Sequence, residues 1–409
     1  MKEKYVKTEA GIIPADWSSE KLLDQAKLLN GLTYSPENVK DYGLLVIRSS
    51  NIQNGQLCFE DNVYVNCDVD EEKLIHKGDI IICIRNGSAA LIGKCAIAKR
   101  DYQATFGAFM AVLRSEYADY IHQIFSRGEL QKQIRRNSDA TINQITNKDF
   151  NSIHIAIPKD KKEIDAISET LCDVDSLILN LQGLIAKKEN VLLGTIQSLM
   201  SGEILMSNKP WKSFVIGQIG DFYGGLSGKT KSDFGVGNSK FITFLNVLRN
   251  TVIDTSILDH VNIREGEVQN AVVTGDLFFN TSSETPEEVG MCSVLLESSK
   301  DTYLNSFCFG YRLNTHDVDP LFLSYYFNSS EGRKIMRVLA QGATRYNLSK
   351  EYFSKCIIRI PELNDQKAIS ELLLDMENEI GALKCKLYKY QQLKQGMMEN
   401  LLTGKIRLV

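Results

Sequence analysis

The chain has 409 residues, of which 43% are apolar and 24% charged, and its formal net charge at pH 7 is −4. This composition is that of a folded chain with sequence for two or three cores, and it excludes disorder. A membrane-spanning apolar run, a secretory signal, and the C-x-x-C or H-x-x-x-H spacing of a metal site are all absent, so a cytoplasmic protein with reduced thiols is expected.

The first module opens on the turn Gly31-Leu32-Thr33. The β-branched runs "LLVIRSSNI" from Leu44, "DIIICIRN" from Asp79 and "CAIAKR" from Cys95 predict strands. A basic helical stretch follows with Arg127, Lys132, Arg135 and Arg136, then "SDATINQIT" from Ser138 and "IAIP" ending at Pro158. Ile164, Ile167, Leu171, Val174, Ile178, Leu181 and Ile185 then recur at steps of three and four. That is a heptad stripe on a helix of about 40 residues. Pro158 stands before it and Gly202 where a C-terminal cap belongs.

The remainder of the chain repeats this plan. "AISETLCDVDSLI" from Ala166 is answered by "AISELLLDMENEI" from Ala368, and "LMSGEI" from Leu199 by "LLTGKI" from Leu401. "KFITFLNVL", "DLFFNTSS" and "SFCFGYRLN" are the second set of strands, and Arg333, Lys334, Arg337 and Arg345 the second basic cluster. The second rod carries its stripe on Ile369, Leu373, Met376, Ile380, Leu383, Leu387 and Tyr390; Lys394 is expected to break it before Leu393 and Met397 resume it. A stripe this narrow buries itself best against its own duplicate, with packing on its own module as the alternative. Gly194 and Gly396 are equivalent in the repeat and suggest a close helix contact or a bend. The expected division is 1–158, a first module; 159–207, a central rod; 208–361, a second module; and 362–409, a C-terminal rod.

"GGLSGKT" from Gly224 imitates the end of a phosphate-binding P-loop, but Tyr223 occupies the position of the required first glycine. A loop follows it where a helix should start. Its Gly225-Leu226-Ser227 instead answers Gly31-Leu32-Thr33, so it reads as the turn that opens the second module. Catalytic spacings such as G-x-S-x-G are absent as well, and a pair of divergent modules suits recognition better than catalysis.

Two different readers on rigid rods suit an asymmetric duplex DNA, whose bases are read by polar side chains while Lys and Arg hold phosphates. A negative total charge argues mildly against this, although one basic face would meet the objection. Candidates for DNA contact are Arg85, Asn86 and Ser88 with Asn143 and Gln144 in the first module, and Thr281, Ser282 and Ser283 with Arg345, Tyr346 and Asn347 in the second. Arg135, Arg136, Arg333 and Lys334 are candidates from the basic helices, and Lys229 and Thr230 for a phosphate. A coiled-coil scaffold joining two protein-binding modules, or a nucleotide-dependent enzyme, is the alternative.

The opening "KTEAGIIPADW", the rod segment "NDQKAISELLLDMENEI", the closing "LKQGMMENLLTGKIRLV" and the paired Gly-Leu turns resemble specificity subunits of type I restriction-modification systems. The resemblance implies an α+β fold with two target-recognition domains and two long helices in an antiparallel, pseudo-twofold coiled coil. Each domain would read half of a bipartite DNA target. The chain itself would be non-catalytic and carry no cofactor. Two modification subunits would bring S-adenosylmethionine, and restriction subunits, where present, ATP and Mg.

Overall fold

The computed structural model describes residues 5–126, 144–297 and 300–408. Two compact units form, one of residues 1–183 with 385–409, the other of residues 184–384. The spatial division therefore differs from the division along the chain, because each rod is shared between the units. The rods are continuous helices, Lys161–Ser201 and Leu363–Leu401. Among the described residues no helix is long and apolar enough to cross a membrane.

In unit 1, an antiparallel sheet has the order Cys95–Ile97, Ile80–Cys83, Met110–Arg114, Lys27–Asn30. Its central strand, Ile80-Ile81-Ile82-Cys83, is wholly buried because its two faces feed two cores. Ile80 and Ile82 enter the core that contains the rod residues Ile164, Ile167 and Leu171. Ile81 and Cys83 point the other way, to Ile47, Phe106 and Val112. The two-residue period of a strand makes this division possible. A second sheet joins Leu44–Ile47 in parallel to Ala104–Phe106 and antiparallel to Val63–Val65.

Unit 2 repeats the topology with different residues. Its antiparallel sheet runs Cys292–Val294, Leu277–Asn280, Cys308–Leu313, Gly220–Gly224. Leu277 and Phe279 enter the rod-side core and Phe278 the opposite one. Its second sheet again has one parallel pair, Phe234–Ile242 with Thr302–Leu304, and an antiparallel neighbour, Asp259–Val261. The same clamp holds both antiparallel sheets. Arg114 donates from Nε and Nη2 to the buried Asp79 at 2.7 and 2.8 Å, and Arg312 to the buried Asp276 at 2.7 and 2.7 Å. The carboxylate also accepts a nearby backbone N–H in each case, from His76 and Val273, both at 2.8 Å.

Both readings of the rods are realised. Ile164, Ile167 and Leu171 of the first rod share the core of unit 1 with Met398 and Leu401 of the second. In unit 2, Leu199 and Met200 of the first rod share the core with Ile369 and Leu373 of the second. The head of one helix thus lies with the tail of the other, the antiparallel arrangement, and each pair is also embedded in a module. Ion pairs flank the seam: Lys394–Asp175 at 2.6 Å in unit 1, and Lys188–Glu379 and Lys384–Glu189, both at 2.7 Å, in unit 2.

Two expectations about the rods are corrected. Lys394 continues the stripe instead of breaking it: its side chain is only 17% exposed, with its ammonium on Asp175, while Leu393 faces outward at 52%. A lysine stem covers apolar surface when its charge finds a partner at the rim. Gly194 and Gly396 mark no close contact, since a Cβ built at either would meet nothing within 4 Å. Gly202 and Gly404 do end the rods in the left-handed region, at φ +76° and +65°. Each lies against the tryptophan that starts a module, Trp211 and Trp17 respectively.

Candidate nucleic-acid interface

Four segments distant in sequence converge in unit 1. The Gly31 turn rests on the Phe106–Met110 turn, with Leu32 N donating to Phe106 O at 2.7 Å. The approach is so close that a Cβ on Gly31 would stand 2.0 Å from the Gly107 carbonyl oxygen. Phe109 O accepts from Ile84 N at 2.9 Å and Arg85 N at 3.2 Å, which ties the second turn to the loop after Ile80–Cys83. That loop is bridged to the fourth segment through Arg85 and Gln144, with Ile145 N on Ile84 O at 2.7 Å.

The same four segments meet in unit 2. Leu226 N donates to Leu304 O at 2.7 Å, and a Cβ on Gly225 would stand 1.9 Å from Asn305 O. Thr281 N donates to Phe307 O at 3.0 Å. Ser282 and Ser283 then pair with Asn347 and Tyr346. Gly225 is therefore a glycine because backbone passes where a side chain would be. The strand Gly220–Gly224 leads into this turn, and only a three-residue 3-10 helix, Lys231–Asp233, follows before the strand Phe234–Ile242, too short to form a phosphate cradle.

The structure thus joins the two candidate loops of each module into one lip. Arg85 and Ser88 are exposed and Asn86 is half-buried, with Asn86 Nδ2 on Ser49 Oγ at 3.1 Å. Arg345 and Asn347 are exposed, and Arg345 Nε donates to Ser282 Oγ at 3.1 Å. Tyr346 and Thr281 are half-buried, and Ser282 and Ser283 are each 9% exposed. Neither Arg85 nor Arg345 has a carboxylate partner among the described residues.

Three other candidates are otherwise engaged. The Lys229 side chain is 5% exposed, and its ammonium donates to Asn262 O and Glu267 Oε2, both at 2.6 Å. Lys229, with Arg264 N and Gln269, holds the Glu267 carboxyl down to about 2. Thr230 closes a short turn on Asp233, donating from N and Oγ1 to Oδ2 at 2.8 Å each. Arg333 is 9% exposed, and its guanidinium donates to the carbonyls of Glu287 and Val289. Burial lowers its pKa to about 10. An ammonium or guanidinium so enclosed is not free for a phosphate. Lys334 is exposed and paired with Glu331 at 2.6 Å. Arg135, Arg136 and Asn143, like Arg127 and Lys132, lie outside the described residues.

Sequence reasoning passed over Phe109 and Phe307, which stand in the lip at 57% and 60% exposure. The signal was present: between Ala104 and Leu113, and the matching stretch from Thr302 to Tyr311, this is the one residue both copies share. Among the described residues no group of three or more His, Cys, Asp or Glu side chains is arranged to hold a metal ion.

The family model for the type I restriction modification DNA specificity domain matches this chain twice, over residues 14–190 and 208–389. The chain belongs to that family. Each match covers one module with the larger part of one rod, so the duplication read in the sequence is a duplication of this domain. The chain is similar to the type I restriction enzyme EcoKI specificity subunit of Escherichia coli, 24% identical, over 88% of this chain and 82% of that one. It is also 25% identical to the StySPI specificity subunit of Salmonella potsdam, over 88% and 81%. Among solved structures, the S subunit of a type I restriction-modification system from M. genitalium has the same fold, with a TM-score of 0.61 at 13% identity over 94% and 96% of the two chains.

Proposed function

We propose that this specificity-domain protein is the non-catalytic DNA-reading subunit of a type I modification assembly, with each module reading one half of a bipartite target. The observation that carries this is the twofold occurrence of one lip, built on the same backbone hydrogen bonds but bearing different side chains. Arg85, Asn86 and Gln144 stand in one, and Arg345, Tyr346 and Asn347 in the other. The same frame with different donors and acceptors suits two different base sequences. The paired rods would set the gap between half-sites and dock two modification subunits. Those subunits would supply S-adenosylmethionine for methylation of adenine N6, and restriction subunits would supply ATP-driven, Mg-dependent steps. This chain would then need no cofactor, and sharing of phosphate contacts with partners accommodates its charge of −4.

The test is a map of N6-methyladenine in cells carrying the modification subunit, with and without this gene. A bipartite mark that depends on the gene is expected, and an unchanged map refutes the reading. Replacing residues 1–158 with another recognition domain should alter one half of the mark; a change in both halves, or in neither, would overturn the assignment of one half-site to each module.

A further inference from the structure

In each module one phenylalanine stands outside the core on a turn closed by hydrogen bonds. In unit 1, Gly107 N donates to Ile47 O at 3.0 Å and Met110 N to Gly107 O at 2.8 Å, closing the turn on which Phe109 stands. In unit 2, Asn305 N and Nδ2 both donate to Ile242 O, at 3.1 and 3.0 Å, and Asn305 Oδ1 accepts from Phe307 N at 2.8 Å. Asn305 is itself buried, so this turn is anchored from beneath. The carbonyl of each phenylalanine is then taken by the neighbouring lip loop, at Ile84 and Arg85 in one module and at Thr281 in the other.

The Phe307 ring is left exposed although a buried aromatic cluster, Phe279 with Phe309, Phe327 and Phe353, lies in the same unit. A solitary exposed apolar side chain needs no explanation. One that recurs at the same place in two copies whose flanking side chains have all changed does need one. The guanidinium of Arg85 lies 5.2 Å from the Phe109 ring centroid, which places a cation and an aromatic face together at the rim.

We infer that Phe109 and Phe307 are DNA-contacting residues, one for each half-site, acting as apolar wedges against the bases and not as hydrogen-bonding readers. This rests on the DNA-reading function proposed above and adds a second kind of contact to it. An aromatic ring carried on a pinned backbone loses little freedom when it stacks on a base or packs at a base step. The exposed polar neighbours Arg85 and Asn347 would then read edges beside them.

The test uses the full chain assembled with its modification subunits and a duplex carrying the target mapped by methylation. Phe109→Ala and Phe307→Ala should each weaken binding to that duplex by roughly ten- to a hundredfold, the range for loss of one aromatic–base stack. The slope of log affinity against log salt should stay that of the parent, because no phosphate contact is removed. Phe109→Ala should also have no further effect on a duplex whose first half-site is already scrambled, with the reciprocal result for Phe307→Ala. Unchanged thermal midpoints would separate this from unfolding, and Phe109→Leu and Phe307→Leu, which keep the apolar bulk that wedges at a base step, should retain more affinity than the alanine variants. Specific affinity within twofold of the parent in either alanine variant overturns the inference. A parent assembly that binds target and scrambled duplex alike would instead overturn the DNA-reading function.

Discussion

Arg407, close to the C-terminus, donates through Nη2 to Glu163 at the head of the first rod at 2.7 Å, and through the same nitrogen to Asp16 at 3.0 Å. Glu163 is fully buried and also accepts from Trp17 Nε1 at 3.2 Å, so the guanidinium neutralises a carboxylate with little access to water. Asp16 and Trp17, Glu163, and Arg407 come from three distant parts of the chain and meet in unit 1. Arg407→Ala leaves that carboxylate uncompensated and is expected to cost about 3 kcal/mol. Glu163→Gln in the Arg407→Ala background should recover part of it. Urea midpoints of the single and double variants check this, and a double variant no more stable than Arg407→Ala would contradict it.

The repeat-equivalent glycines predict opposite outcomes. Gly194→Ala and Gly396→Ala add a methyl group to open space on a helix and should each stabilise the chain by about 1 kcal/mol. Gly31→Ala and Gly225→Ala instead force backbone apart at the lip and should destabilise by about 1–3 kcal/mol. Each lip variant should also impair methylation through its own half-site specifically. Thermal midpoints for all four variants, with methylation maps for the last two, decide the matter.

Among the cations, exposure separates two roles. Arg345→Ala should weaken DNA binding and lower the salt slope by about 1, since its guanidinium is exposed at the lip. Lys229→Ala should leave that slope unchanged and lower stability, because its ammonium is enclosed with Glu267 and Asn262. Titrations at several salt concentrations distinguish the two, and a lowered slope for Lys229→Ala would return that residue to the interface.

His122 gives unit 1 a dependence on pH. Burial holds its pKa down to about 4 from an ordinary 6.5. Between these values the unfolded chain takes up a proton that the folded chain refuses, so stability falls as pH drops through 6.5 and levels off below about 4. The full loss is on the order of 3 kcal/mol. His122→Gln should flatten urea midpoints between pH 6.5 and 4 relative to the parent; equal slopes would show that other groups govern acid unfolding.

The sequence by itself determined the duplication, the α+β class and the two rods. Repeated segments and heptad spacing are written in local order, and a helix or strand obeys that order through a period of 3.6 or 2 residues. It also exposed "GGLSGKT" as a turn, because the repeat supplied a partner for Gly225 that lacked the Gly-Lys-Thr. Only the tertiary structure decided which cations are enclosed. Lys229 and Arg333 look in sequence like Arg85 and Arg345, but Glu267 encloses one and the carbonyls of Glu287 and Val289 hold the other. It decided as well that Lys394 completes the rod stripe, since Asp175 lies more than two hundred residues earlier in the chain. The convergence of Gly31, Phe109, Arg85 and Gln144 into one lip is likewise a product of sheet pairing. Charge, exposure and convergence depend on what the fold brings alongside a residue, and that information is not local to it.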